Sequence, residues 1–213
     1  MLSRLSLVGP VVAAGIIFAP GARADDAAVD AIKKTIQIQR EVVAYRTKKT
    51  TTSMVPRISI FEMTTEVVNP DKVHVKEEVD GTLKSESLTD GQRLFVREDP
   101  KSDWKEETRD AAKKIKDLQE NARMSAPKPG DEIRLSGHED FKSVPVSVYI
   151  WKSVGSLKST ITLRIADQDN RLLDETGATK GEFAVLNQTV HIDMSWHKTY
   201  EYDPTIKIAL PSP

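Results

Sequence analysis

The 213-residue chain contains no cysteine. That absence excludes a disulfide framework, a thiolate metal site, a cysteine nucleophile and a thioether-linked lipid anchor. Aromatic residues are scarce, at five Phe, four Tyr and three Trp, so any core must be mainly aliphatic. Neither charge sign dominates. The 31 Lys+Arg against 32 Asp+Glu leave a formal net charge of −1, which removes the broad positive field expected of a nucleic-acid binder. There is no Gly-x-Ser-x-Gly elbow, no His-Glu-x-x-His and no phosphate-cradling glycine loop. No nucleophile stands with its base in a recognisable motif, which ranks a hydrolase behind any binding role. No enzymatic activity and no cofactor are expected.

What is present begins with an address. Arg4 supplies a positive start, residues 5–19 are mostly apolar, and Ala22-Arg23-Ala24 is a small-x-small cleavage site before Asp25. Gly9, Pro10, Gly15 and Pro20 break the apolar run, which falls short of the roughly 20 residues that span a bilayer. Residues 1–24 therefore read as a cleaved signal peptide rather than an uncleaved anchor, and 25–213 as one exported domain. No later stretch approaches bilayer-spanning length, so no transmembrane span is expected after cleavage. With a bacterial-style signal the destination is the periplasm. In a eukaryotic source, Asn187-Gln188-Thr189 would be a glycan acceptor.

The processed chain opens with helical spacing over residues 27–45, where Val29, Ile32, Ile36 and Val43 recur among Lys33, Lys34, Gln37, Arg40 and Glu41. The period then changes to two. Residues 47–52 are rich in β-branched threonine; Ile58, Ile60, Phe61 and Met63 follow; Val73, Val75 and Val79 alternate with His74, Lys76 and Glu78. Asn69-Pro70-Asp71, Asp80-Gly81 and Asp90-Gly91 punctuate these runs as turns. A second amphipathic helix is predicted over 108–123, with Ala111, Ile115, Leu118 and Ala122 on one side, ended by Pro127, Pro129 and Gly130. Strands resume with Val144, Val146, Val148 and Ile150, then Ile161, Leu163 and Ile165, a turn at 167–170, and Leu172-Leu173. They end with a long run over 183–196 and with Ile206, Ile208 and Leu210. The fold class is α+β: about ten antiparallel strands in one strongly curved sheet, an incomplete barrel, wrapping two amphipathic helices that cover its apolar face.

Several stretches also resemble a known family. They are the Thr-rich first strand; Thr89-Asp90-Gly91-Gln92-Arg93-Leu94-Phe95-Val96 followed by Trp104; the mid-chain helix; Ser159-Thr160-Ile161-Thr162-Leu163-Arg164-Ile165-Ala166-Asp167; and the closing Tyr200-Glu201-Tyr202-Asp203 with Ile206-Lys207-Ile208. Together they look like the periplasmic outer-membrane lipoprotein carrier (LolA/LolB-like) superfamily, over essentially the whole processed chain. The resemblance implies a curved, incompletely closed sheet sheltering acyl chains. No site residue is carried over from it.

The candidate ligand walls are the alternating aliphatics Ile58, Ile60, Val73, Val75, Leu94, Val96, Val148, Ile150, Ile161, Leu163, Ile165, Ile192 and Met194, which equally suit a packed core. Trp104, Trp151 and Trp196 suit an opening or ordinary packing. His191, Asp193 and His197 share a strand face opposite Ile192, Met194 and Trp196, a pattern that solvated alternation explains without a metal. His138-Glu139-Asp140 reads as a turn or strand end. The run Lys113, Lys114, Lys116 lies beside Glu106, Glu107, Asp110 and Asp117 and reads as a solvated helix face. Two functions follow: a periplasmic carrier for a lipid or other apolar ligand, or an envelope protein-interaction or sensor domain with a filled core. Both lack nucleic-acid partners.

Intact-mass analysis of the exported protein should show a chain beginning at Asp25. A product retaining Met1 would defeat the signal-peptide reading.

Overall fold

The period-two runs pair into a single antiparallel sheet of eleven strands in the computed structural model, which describes residues 25–54, 58–154, 157–185 and 188–211. Residues 1–24, which the sequence reading takes as a signal peptide, and Asn187 lie outside the described residues.

Helix α1 spans Asp26–Glu41. Its N-cap Asp25 accepts from the Ala27 N–H at 3.1 Å, and Asp26 in the first turn and Arg40 in the last complement the helix dipole. Ala28, Ile32, Thr35, Ile36 and Gln39 form the buried stripe. The expected continuation to residue 45 does not occur: Val42 is extended, and Ala44 and Tyr45 are drawn into the sheet opposite Val68 and Val67. Pairing on the sheet overrides the helical spacing that Val43 completes, and leaves Val43 exposed.

Two meanders build the sheet. The first comprises β1 Ala44–Ser53, β2 Ser59–Val68, β3 Lys72–Val79, β4 Thr82–Thr89, β5 Leu94–Arg97 and β6 Lys105–Glu106; after α2 Ala111–Ala122, the second comprises β7 Glu132–Phe141, β8 Val144–Ser153, β9 Leu157–Ala166, β10 Leu172–Val185 and β11 Gln188–Glu201. The spatial order is β6-β5-β4-β3-β2-β1-β11-β10-β9-β8-β7, so β1 and β11 join the meanders in the middle, and β6 and β7 are unpaired edges. Asp80-Gly81 makes the two-residue β3–β4 turn with positive φ at both positions, which glycine accommodates without a Cβ penalty. The β7–β8 turn has the same handedness at Lys142 and Ser143 without glycine, so no turn dipeptide marks it. Strand β7 went unforeseen for that reason and because, of its residues, only Ile133 is buried.

The sheet must curl. At about 4.8 Å per strand, β3 and β7 would stand roughly 34 Å apart in a flat sheet. Yet Val73 and Val75 of β3 and Ile133 of β7 belong to one core cluster with Ala28, Ile32 and Ile36 of α1, Ala122 of α2, and Tyr45, Val67, Trp151, Leu163, Ile165, Leu172 and Tyr200. Helix α1 lies against β7 and α2 against β2, β3 and β5, both on the inner face. The outer face carries an ion row over six strands. Arg46 pairs with Glu201 at 3.2 Å and Glu66 at 2.6 Å, His74 bridges Glu66 and Glu86 at 3.2 and 2.7 Å, and Arg97 closes on Glu86 at 2.5 Å. Burial pushes the Glu66 and Glu86 carboxyls up, but the hydrogen bonds from Arg46, His74 and Arg97 prevail and hold both below the usual glutamate value.

The two faces differ in what a substitution costs. Ile32→Ala should destabilise by about 2–5 kcal/mol by emptying the fully buried contact between α1 and the sheet. Ile60→Ser on the outer face should stay within about 0.5 kcal/mol, read by urea unfolding.

Candidate functional site

Strand register sorts the inner face into rows. Nearest α1, Tyr45, Val67, Val73, Tyr200, Leu172 and Ile165 are packed shut. The next rung inward from the closed end is charged: Glu77, Met63, Lys49, Lys198, Glu175, Leu163 and Tyr149 stand opposite one another in turn across seven strands. Beyond it runs an aromatic row, Val79, Phe61, Thr51, Trp196, Gly177, Ile161 and Trp151. The outermost row, Ser59, Ser53, Met194, Thr179, Ser159 and Ser153, is mostly hydroxyl-bearing.

The interior is therefore filled nearest α1 and hollow around the charged row. A cavity of about 200 Å³ lies at the row, between Met63, Trp151, Ile161, Leu163, Lys49 and Lys198 on the sheet and Met124 beyond the end of α2. Two further hollows of about 280 and 290 Å³ both include Lys49 and Met63 in their walls and carry the groove toward Phe61 and toward Leu118 of α2.

The polar groups at the row are tightly engaged. Both Glu175 oxygens are taken: the Trp196 indole N–H donates at 2.7 Å and the Tyr200 hydroxyl at 3.0 Å. Burial and the adjacent Glu175 carboxylate push the Tyr200 hydroxyl well above its ordinary value. Lys198 is only 7% exposed; burial drives its ammonium down, Glu175 draws it partly back, and Lys49 pushes it down further. The Lys49 ammonium lies 5.2 Å from the Trp196 ring centroid and that of Lys198 lies 5.0 Å from the Tyr200 ring. Trp196 can lie flat on β10 because its neighbour is Gly177: a Cβ there would come within 2.2 Å of the indole.

The thirteen aliphatics proposed as ligand walls separate into four groups. Ile161 and Leu163 line the central cavity. Val73 and Ile165 are packed core, and Val75 is core that also borders the 290 Å³ hollow. Leu94 and Val96 share the inner face through Thr89 and Ser87, and Ile192 and Met194 continue it toward the rim. The other four are not walls. Ile60, Val148 and Ile150 point to the outer face, opposite Thr52, Arg164 and Thr162, and Ile58 stands exposed just before β2. In β2 and β8 both faces carry apolar side chains, and the inner set is Phe61 and Met63 in one, Tyr149 and Trp151 in the other. A period of two says which residues share a face, not which face is inside.

Lys49, Lys198, Glu175 and Gly177 went unforeseen. One signal was available: in β11 the set Ile192, Met194, Trp196, Tyr200 is interrupted only by Lys198. His191, Asp193 and His197 do not converge; they pair separately with Glu182 at 2.9 Å, Lys180 at 2.9 Å and Asp174 at 2.5 Å. Among the described residues no three His, Asp or Glu side chains come together to hold a metal. Trp151 donates inward to the buried Asp131 at 2.9 Å, and Trp104 packs under Arg97 on the outer side rather than at an opening. No described helix is long and apolar enough to cross a membrane.

No protein-family model matches the chain, and no curated protein matches it by sequence. Among solved structures it is similar to the lipoprotein LppX of Mycobacterium tuberculosis, with a TM-score of 0.58 at 12% identity over 87% of this chain and 100% of that one. It is also similar to LprF of Mycobacterium bovis, with a TM-score of 0.51 at 10% identity over 91% and 100%. A LolA superfamily protein from Nitrosomonas europaea superposes more loosely, at a TM-score of 0.29 and 10% identity over 82% and 91%, and leaves the two mycobacterial lipoproteins to carry the comparison. The chain shares the α+β fold of these two mycobacterial lipoproteins, and its open, curved sheet is the one the sequence resemblance implied.

Gly177→Ala should displace the Trp196 indole and cost about 1–3 kcal/mol as an overpacked contact. Tryptophan emission should shift as the indole leaves Glu175. An unchanged spectrum with unchanged stability would show that Trp196 does not rest on β10.

Proposed function

We propose that the protein is a binding or carrier protein of the cell envelope, exported to the periplasm, that holds a lipid or other apolar chain within its curved sheet and catalyses no reaction. One observation carries this reading: the inner face is packed against α1 but hollow around the Lys49–Lys198 row, beside Met63, Phe61, Ile161 and Trp151. Preformed hollows that share Lys49 and Met63 and carry Phe61, Val79, Leu118, Ile161 and Trp151 in their walls give a flexible chain apolar surface on which its burial removes hydrocarbon from water without reopening a core. The shared fold with two mycobacterial lipoproteins supports an envelope setting. The second reading, an envelope protein-interaction domain, draws its support from the filled half of the same face.

Displacement of a fluorescent fatty acid tests the two together with organic extraction of protein purified from its own host. The carrier reading expects saturable uptake and a co-purified apolar molecule. Ile161→Phe, which narrows the cavity while remaining apolar, should leave the melting temperature close to wild type and weaken uptake about tenfold, the effect of about 1.4 kcal/mol of lost contact. Absence of uptake by the wild-type protein would sink the carrier reading in favour of the interaction domain.

A further inference from the structure

Lys49 and Lys198 face each other directly across the β1–β11 ladder, on the inner side of the sheet, and both line the central cavity. Like charges opposed in this way repel, and a buried ammonium without a close counter-ion is costly. Lys198 is nevertheless almost completely buried, and among the described residues it donates no hydrogen bond and makes no ion pair. The cavity wall holds three cations, Lys49 from β1, Lys198 from β11 and Arg123 after α2, against one carboxylate, Glu175 of β10. Glu175 is already committed to Trp196 and Tyr200, and Arg123 to Asn69 and Pro70. The next acids along the groove lie farther out: Glu77 of β3 is exposed and takes the Ser85 hydroxyl, Glu78 pairs with Lys76, and Glu62 is exposed beside Lys84 in the wall of the 280 Å³ hollow. The two lysines thus have unused donors aimed at a space whose other walls are Met63, Met124, Trp151, Ile161 and Leu163.

We infer that the Lys49–Lys198 pair receives the anionic head group, carboxylate or phosphate, of a single-chain amphiphile whose tail runs along the apolar side chains of the adjoining hollows, Phe61 and Val79 in one and Val75 and Leu118 in the other. An arriving anion neutralises the repulsion between the ammonium groups and gives each a charge-assisted hydrogen bond in a poorly hydrated site, where such bonds are strongest. The tail occupies the groove that Lys49 and Met63 share with the flanking hollows. A ligand with no charge at its end brings neither ammonium a counter-charge, so the row selects against neutral lipids.

The inference rests on the carrier reading and refines it, and the two are tested separately by calorimetric titration of the purified protein with palmitate, hexadecyl phosphate and hexadecanol. These probes share a tail and differ in the head. The two anions should bind at least about tenfold more tightly than hexadecanol. Tighter binding of palmitate identifies a fatty acid as the source of the anion, and tighter binding of hexadecyl phosphate identifies a phosphate-bearing lipid. Lys198→Met should abolish the preference, bringing both anions down to the affinity of hexadecanol, and melt no lower than wild type, because it removes a buried charge. Lys49→Gln, at a half-buried position, should reduce the preference in the same direction and serves if Lys198→Met does not fold. Equal affinity for all three probes overturns the inference and leaves the carrier standing. No binding of any probe overturns both.

Discussion

The ladder between β1 and β11, from Arg46 opposite Glu201 to Ser53 opposite Met194, is the constraint on which the rest of the molecule depends. It seats the first and last strands side by side at the centre of the sheet, so β6 and β7, close in sequence, become opposite edges. The segment between them must cross from one edge to the other, and it carries α2 across the inner face as it does so. An eleven-stranded sheet with an apolar side cannot leave that side in water. Here it curls around α1 and the α2 crossover, and the edges stay short of closure. An unclosed sheet keeps one end of its interior accessible, which separates this architecture from a solid sandwich.

Within that frame the interior has two regimes, and the charged row marks their boundary. On the α1 side, fully buried Ile32, Tyr45, Val67, Val73 and Leu172 exclude solvent. On the other side the inner residues are half-exposed, Phe61 at 43%, and hydroxyl-bearing at the rim. Placing Lys49, Lys198 and Glu175 at this boundary costs stability, because desolvating an ammonium is unfavourable unless a counter-charge is close. The outer face shows the contrasting arrangement. Arg46, Glu66, His74, Glu86 and Arg97 alternate basic side chains with acidic ones, and each finds a partner near 3 Å. Charge is matched where no cavity exists and left in excess where one does, a difference that local folding requirements do not explain.

Much of the architecture was legible in the residues themselves. The switch from helical spacing to a period of two after α1, the Asp80-Gly81 turn and the interruption by Ile115, Leu118 and Ala122 led to the α+β class, the two helices and the antiparallel order. These are local signals, set by backbone sterics and by which side chains fall on one side of an element. The end of α1 was misjudged because Tyr45 fits both patterns, and its place was decided by Val67 across β2. Strand β7 was missed because its polar side chains and glycine-free Lys142-Ser143 turn carry no local mark.

The candidate site was legible only in part, for one physical reason. Alternation identified Ile161, Leu163 and Met194 as members of an apolar set, but alternation is symmetric between faces. In β2 and β8, where both sets are apolar, Ile60, Val148 and Ile150 were assigned inward and point outward. The residues that give the cavity its chemistry come from separate strands: Lys49 from β1, Glu175 from β10 and Lys198 from β11. The sequence by itself determined the element types, the turns and the candidate apolar sets, since those depend on neighbours a few residues apart. Only the tertiary structure decided which face curls inward and that two lysines nearly 150 positions apart stand opposite each other, because cross-strand register is a property of paired chains and not of either strand alone.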